Sequence, residues 1–330
     1  MVGLSHVALR VMIREYLPLG AHTPWPTEML NSRRLPNEKV GQTPETFRAS
    51  HENFLVPQIL GNEETAIRES IQRLETWGAE AIDINMGCPV QKALKHNYGV
   101  ALMGDPDYAA EVVAMAKRST SLPISVKLRA VGTDGNLAQL LSFVEGLRNA
   151  GASWICLHPR TAAQKRRGQA DWSQIKTLRE QIDTPVVGNG DIQTAEDVYA
   201  MLEETQCDLV MSGRGLAARP WMLWQIAEDL GLPRPEHLQD RRAPRSPEEE
   251  GQEYGRALLR LIDLCEHYFQ PDLGLRKVRF YLRTTAVWLQ FGHSLTALST
   301  KAQNFSELRE SVRFFFSSPQ EMSPTTELRQ

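Results

Sequence analysis

From residue 23 to about residue 230, short apolar runs alternate with longer amphipathic stretches, and no other feature of the chain restricts its fold as strongly. The runs are Thr23–Met29, Phe54–Leu60, Ala81–Asn85, Ile124–Leu128, Trp154–His158, Pro185–Asn189 and Leu209–Ser212. Between them, Glu63–Trp77, Asp107–Arg118, Leu137–Asn149, Trp172–Gln181 and Thr194–Glu204 carry apolar residues at helical spacing. Asn62, Asp105, Asp171 and Thr194 stand where helix caps are expected. This rhythm predicts a parallel sheet with right-handed crossovers, either doubly wound or closed into a barrel. Polar residues choose between the two. Gln58, Asn85, Lys127, His158, Asn189 and Gly213 lie at or near the ends of six successive strands. A TIM (β/α)8 barrel gathers every strand end at one mouth, whereas an open sheet uses mainly those at its switch point. The expected class is α/β, a TIM barrel.

That barrel lacks a strand. Seven runs are present, and Val7–Leu17 reads as a helix, so the missing first strand would have to precede it. Only Met1–Ser5 is available there, and it reads as a loop. The expectation is a first strand missing or truncated, with a natural reading frame that begins upstream by roughly ten residues. Beyond the barrel, residues 231–250 hold four prolines and many charges and read as a linker. Gly251–Phe269, Leu275–Leu289 and Phe305–Phe316 then read as helices without strands. The expected division is a catalytic barrel over 1–230, a Pro-rich linker over 231–250, and a small all-α domain over 251–330 with a disordered C-terminal tail.

Several classes are excluded. No apolar run approaches the ~20 residues needed to span a bilayer, and Arg10, Arg14 and Glu15 interrupt an amino terminus that has no signal-peptide cleavage pattern. The four cysteines, Cys88, Cys156, Cys207 and Cys265, show no Cys-x-x-Cys spacing. That argues against a disulfide framework, a zinc site or an iron–sulfur cluster, and suits a reducing cytoplasm. The net charge of −3 hides two basic runs, Arg276–Lys277–Arg279–Arg283 and Lys165–Arg166–Arg167, with acids concentrated elsewhere at Glu248–Glu250. Arg276, Arg279 and Arg283 share one helical face, which fits either solvent or a polyanion.

The strand ends carry the chemistry. Ile84-Asn85-Met86-Gly87-Cys88-Pro89 leaves a strand directly into a turn, placing an amide beside a thiol. Cys88 is either a packed small hydrophobe or a proton donor. Cys156, inside an apolar run, reads as packing. Lys127 is either solvated or paired with an anion, and a reduced flavin ring would supply one. His158-Pro159-Arg160-Thr161 can donate to a ring carbonyl or a phosphate. Asn189-Gly190-Asp191 and Ser212-Gly213-Arg214-Gly215 end consecutive strands, the usual phosphate site of TIM barrels. Their glycines let backbone N–H groups approach a single phosphate, and the dinucleotide fingerprint GxGxxG is absent.

Together these pieces resemble the tRNA-dihydrouridine synthases. The match rests on NMGCP at Asn85–Pro89, GVALMGDP at Gly99–Pro106, SVKLR at Ser125–Arg129, HPRT at His158–Thr161, GNGDI at Gly188–Ile192 and SGRG at Ser212–Gly215. ADW at Ala170–Trp172 fits between them. The resemblance implies an FMN-bearing barrel, a helical tRNA-binding domain and NADPH as reductant, in a metal-free monomer. It implies that Cys88 protonates C5 of the uracil while reduced FMN delivers hydride to C6. It makes Gln58, Lys127 and His158 flavin-ring contacts, and Asn189, Gly190, Asp191, Gly213 and Arg214 the phosphate side. Asn85 and Arg160 would face the substrate base, and Arg276, Arg279 and Arg283 the RNA. Three departures stand out. Met1 occupies the place of the family's first-strand Ala-Pro-Met, Pro159 replaces a glycine, and the loop after NMGCP reads LKHNYG with fewer glycines. Alternatives are a flavin barrel acting on a free pyrimidine, as in the dihydroorotate dehydrogenases, and a non-catalytic RNA-binding protein. The modified tRNA position and the choice of NADPH over NADH are not legible.

Overall fold

The computed structural model describes residues 1–131, 136–165 and 167–326, so Arg166 of the second basic run lies outside the described residues. In chain order the elements are α1 (Val7–Arg14), β1 (Trp25–Asn31), β2 (Leu55–Leu60), α2 (Glu64–Trp77), β3 (Ile82–Met86), α3 (Gln91–Lys95), α4 (Pro106–Arg118), β4 (Ile124–Arg129) and α5 (Leu137–Asn149). There follow β5 (Trp154–His158), α6 (Trp172–Gln181), β6 (Val186–Asn189), α7 (Ala195–Thr205), β7 (Leu209–Met211), α8 (Arg214–Ala218) and α9 (Met222–Asp229). The last four helices are α10 (Pro247–Tyr268), α11 (Pro271–Thr285), α12 (Gly292–Lys301) and α13 (Phe305–Phe315). Among the described residues no helix is long and apolar enough to cross a membrane.

All seven strands are parallel and pair in sequence order, as the strand–helix rhythm predicts. Period-two alternation sorts their side chains. On β3 and β4, Ile82, Ile84, Met86, Ile124, Val126 and Leu128 pack outward against the crossover helices. Asp83, Asn85, Ser125, Lys127 and Arg129 are left on the inner face, with Asp83 opposite Ser125 and Asn85 opposite Lys127. Asp105, Asp171 and Thr194 cap their helices as expected. Asn62 does not. Glu63 takes the cap position of α2 without a side-chain bond, because the Asn62 amide is used instead on the carbonyls of His96 and Asn97.

β7 does not pair with β1 among the described residues, so the sheet is an open, curled arc. The C-terminal helices lie across that opening. On α11, Lys277 reaches Glu28 of β1 at 3.1 Å, while one turn later Tyr281 donates to the carbonyl of Ala217 in α8 at 3.0 Å. Glu28 also accepts from the Gly3 amide at 2.8 Å, which draws the amino-terminal loop into the same gap. The helix α1 belongs to this layer rather than to the barrel wall, sharing one apolar core with α8, α10, α11 and α13. The helical unit is thus built from both ends of the chain.

Residues 231–246 connect α9 to α10, and the last four residues of the expected linker, 247–250, are helical. α10 begins at Pro247, where Ser246 and Glu249 form a capping box and Glu248–Glu250 fill the first turn. Proline is tolerated in that turn and acids favour the helix's positive end, so the features that suggested a linker start a helix. Gly292–Lys301 forms the unexpected α12. Of the expected C-terminal disorder, residues 327–330 lie outside those described, whereas Met322 is buried and its segment pairs with Leu289.

Arg10 of α1 joins the helical layer to the barrel. It forms a two-bond pair with Glu52 at 2.7 and 3.0 Å and also donates to the carbonyls of Ser5 and Phe47. Both partners are buried. Glu52→Ala should therefore leave a buried, uncompensated guanidinium and cost about 3–5 kcal/mol. Urea unfolding measures this, and a loss under about 1 kcal/mol would place the pair among the weak surface contacts.

Candidate active site

The inner faces of β2, β3 and β4 hold a continuous polar chain. Asp83 is buried and accepts from the Ser125 hydroxyl and from Gln58 Nε2, each at 2.6 Å. Gln58 Oε1 accepts from Asn85 Nδ2 at 2.8 Å. Asn85 Oδ1 in turn accepts from the backbone N–H of Gly87 at 3.2 Å and of Cys88 at 2.9 Å. Burial raises the Asp83 carboxyl above its ordinary range, opposed by its two hydrogen bonds and by Lys127. The turn that carries Cys88 is therefore held by a side-chain chain running through three strands.

Cys88 itself is buried, packed with Leu60, Ala93 and Tyr98. The loop that covers it is tied on both sides: Val100 donates to the Cys88 carbonyl at 3.1 Å and Asn31 donates to the Tyr98 hydroxyl at 3.2 Å. One glycine of this loop is required by space. Gly99 has φ +64°, and a Cβ there would lie 2.8 Å from the Cys88 carbonyl oxygen. Cys156 behaves as packing, with its thiol pushed up to about 11 by burial.

Lys127, across from Asn85, donates to Asn189 Oδ1 at 3.0 Å and has no carboxylate within ion-pair distance among the described residues. Asn189 passes the contact to the Met211 carbonyl at 2.7 Å, which links β4, β6 and β7. His158 is pushed down to about 2, first by burial and then by Lys127, Arg129, Arg160 and Arg214 around it, so the ring is neutral. Four cations converge here on an imidazole.

Arg160 is committed within the protein. It contacts His158 Nε2 at 3.2 Å and grips both oxygens of Asp191 at 2.7 Å. It also donates to the carbonyls of Arg167 and Gly168. Arg129 performs a similar task nearby, bonding the Gly87 carbonyl at 2.9 Å and the Lys165 carbonyl at 2.9 Å. Gly190 (φ +128°) sits against His158 and Ala170, and Gly213 immediately precedes α8, which opens with Arg214.

The structure joins Gln58, Asn85 and Cys88 in one hydrogen-bonded chain, Lys127 and Asn189 in a second, and His158, Arg160 and Asp191 in a third, with Gly190 between Asn189 and Asp191 and with Gly213 and Arg214 at the next strand end. It separates the arginines of α11. Arg276 and Arg283 are exposed, whereas Arg279 turns to the carbonyls of Ser299 and Ala302, at 3.3 and 2.6 Å, and finishes α12. Asp83, Ser125 and Arg129 were not anticipated. Their signal was present, because Asp83 precedes Asn85 by two residues, and Ser125 and Arg129 flank Lys127 by two.

A family model described as dihydrouridine synthase matches residues 1–304. The chain belongs to the dihydrouridine synthase family. It is 34% identical over 214 residues to a probable tRNA-dihydrouridine synthase of Rhizobium leguminosarum bv. phaseoli, covering 65% of this chain and 67% of that one. A probable tRNA-dihydrouridine synthase 1 of Synechocystis sp. is 32% identical, over 68% of this chain and 62% of its own length. A probable tRNA-dihydrouridine synthase of Mycobacterium tuberculosis is 31% identical, over 93% of this chain and 78% of its own. Among solved structures, a histamine dehydrogenase from Rhizobium sp. 4-9 aligns with a TM-score of 0.53 at 13% identity, over 79% of this chain and 46% of that one. That likeness concerns the fold, and it agrees with the barrel architecture.

The neutral histidine gives a direct expectation. An unfolded histidine takes up its proton near pH ~6.5, and His158 in the folded chain near 2. Below ~6.5 the unfolded state binds more protons, so this group removes stability as pH falls. Long-range proton–nitrogen spectra of the flavin-free protein should show a neutral His158 ring down to about pH 4. A titration near pH ~6 would mean that water reaches the ring.

Proposed function

We propose that this chain reduces uridine to dihydrouridine in tRNA, as a metal-free cytoplasmic monomer with FMN as its resident flavin and NADPH as its reductant. The observation that carries this reading is the Asn85–Cys88 turn, hydrogen-bonded to Gln58 and set one strand away from Lys127. The site fits a flavin. Lys127 has no carboxylate partner among the described residues, the imidazole beside it is neutral, and glycines stand at the ends of β6 and β7. When bound, FMN supplies the hydride for C6 of the uracil.

The remaining roles belong to the chain. Lys127 and Gln58 hold the flavin ring, His158 borders it, and Asn189, Gly190, Asp191, Gly213 and Arg214 form the side that takes its phosphate. Asp191 acts there indirectly, by orienting Arg160. Asn85 orients the base, and Cys88 holds the proton that reaches C5. The thiol is buried between Leu60 and Tyr98, which keeps water from it until a base enters. A uracil within folded RNA reaches such a pocket only when extruded from its stack. Affinity for so large a substrate comes from phosphate contacts outside the pocket, for which Arg276 and Arg283 are exposed. Arg279 shapes that surface by ending α12.

Two outcomes test this. The protein should purify yellow, and Cys88→Ala should keep its flavin and oxidise NADPH while dihydrouridine formation falls by ~10²–10⁴-fold. Mass spectrometry of reacted tRNA reads the product, and an alanine variant of full activity would move the acid elsewhere. Arg276→Gln with Arg283→Gln should weaken tRNA binding and flatten its salt dependence by about one unit of log–log slope per lost contact. An unchanged slope would return both arginines to the solvated surface.

A further inference from the structure

A carboxylate inside a barrel, with no cation in contact, calls for a reason. Asp83 is 5% exposed, and among the described residues it pairs with no lysine or arginine. Its partners are neutral donors, the Ser125 hydroxyl and the Gln58 amide, both at 2.6 Å. Bonds of that length to an ionised acceptor are the strong, charge-assisted kind. A hydrophobic residue would cost less at this position unless the charge itself has a use.

The use lies in direction. An amide side chain can face either way, since its oxygen accepts and its nitrogen donates. Asp83 accepts from both Ser125 and Gln58 and donates to neither, so Gln58 turns its nitrogen to Asp83 and its oxygen to Asn85. Asn85 must then turn its nitrogen to Gln58 and its oxygen to the Gly87 and Cys88 amides. We infer that Asp83 is a positioning residue that sets the polarity of an amide relay, from Gln58 through Asn85 to the backbone of the Cys88 turn. Each amide in this arrangement keeps a second N–H for a ring carbonyl in the mouth. That last consequence rests on the proposed uracil chemistry; the orientation of the turn does not.

Reversal of the relay has a specific cost. If Asn85 turned over, its nitrogen would confront two backbone N–H groups, leaving donors unpaired in a buried place. Asp83→Asn permits that reversal, because an amide at position 83 can donate to Gln58. Amide hydrogen exchange at Gly87 and Cys88 should then accelerate about ten-fold. This readout needs neither flavin nor tRNA. Ser125→Ala leaves the carboxylate an acceptor and should change the same exchange by less than about two-fold.

The deciding variant moves the charge one step along. Asp83→Asn combined with Gln58→Glu places an acceptor-only group next to Asn85 again, and slow exchange at Gly87 and Cys88 should return. A purely structural requirement for Asp83 predicts that the double variant is worse than the single. Should Asp83→Asn fail to fold, Gln58→Met interrupts the relay downstream and should raise exchange equally. Slow exchange in Asp83→Asn, or no recovery in the double variant, overturns the relay. With exchange raised, dihydrouridine formation by Asp83→Asn should fall about ten-fold or more; unchanged formation overturns its part in positioning. Absence of dihydrouridine formation in the unaltered protein would instead remove the proposed function and leave the exchange results standing.

Discussion

Among the described residues, a parallel sheet whose seven strands pair only with sequence neighbours has two unpaired edges, β1 and β7. Unpaired edges expose a row of backbone donors and acceptors and invite association. Much of the surrounding architecture lies over that opening. α11 straddles it, with Lys277 on Glu28 at one side and Tyr281 on Ala217 at the other. Arg219, just after α8, pairs with Glu250 in the first turn of α10, and Trp221 donates to the same carboxylate. The amino-terminal loop enters between them through Gly3. The helical unit therefore covers the open side of the barrel and leaves Arg276 and Arg283 exposed on α11.

The electrostatics of the mouth contrast with the chain as a whole. A net charge of −3 gives no hint of a polyanionic partner. Around His158, however, lie Lys127, Arg129, Arg160 and Arg214, while Asp191 is the carboxylate that answers Arg160 directly. Other acids stand at helix starts such as Glu248–Glu250 and in the pairs that tie layers together, such as Arg10–Glu52. Lys127, with no carboxylate in ion-pair distance among the described residues, is a local positive charge that favours an anionic ligand regardless of the sum over the surface.

The barrel is legible because period-two and helical spacings are local, and six polar strand ends are hard to explain on a doubly wound sheet. The parts that escaped depend on distant partners. Arg160, which the sequence sets beside a ligand, also meets Asp191 thirty-one positions later, both of whose carboxylate oxygens accept from one guanidinium nitrogen. Asn62 reads as a helix cap until the carbonyls of His96 and Asn97 take its amide. Arg279 shares a helical face with Arg276 and Arg283, yet its length carries it sideways to α12. α12 was missed because Gly292 at its start, packed against Ala286, reads as a loop signal. Asp83 lies one layer below the strand ends that the sequence marks, on the same inner face.

The union of α1 with α10 has a consequence for how the chain acquires its shape. Tyr16 bonds Glu253, and Glu15 pairs with Arg260, across more than two hundred residues of intervening barrel. Closing so long a loop is entropically expensive before any contact rewards it, and topologies dominated by such contacts fold slowly. On a ribosome, the apolar face of α1 emerges before the barrel strands and waits for α10 until more than two hundred further residues have been made. During that interval Val7, Val11 and Met12, all buried in the finished protein, are open to chaperones and to misassociation. The helix that anchors the mature structure is thus also one left uncovered for much of synthesis.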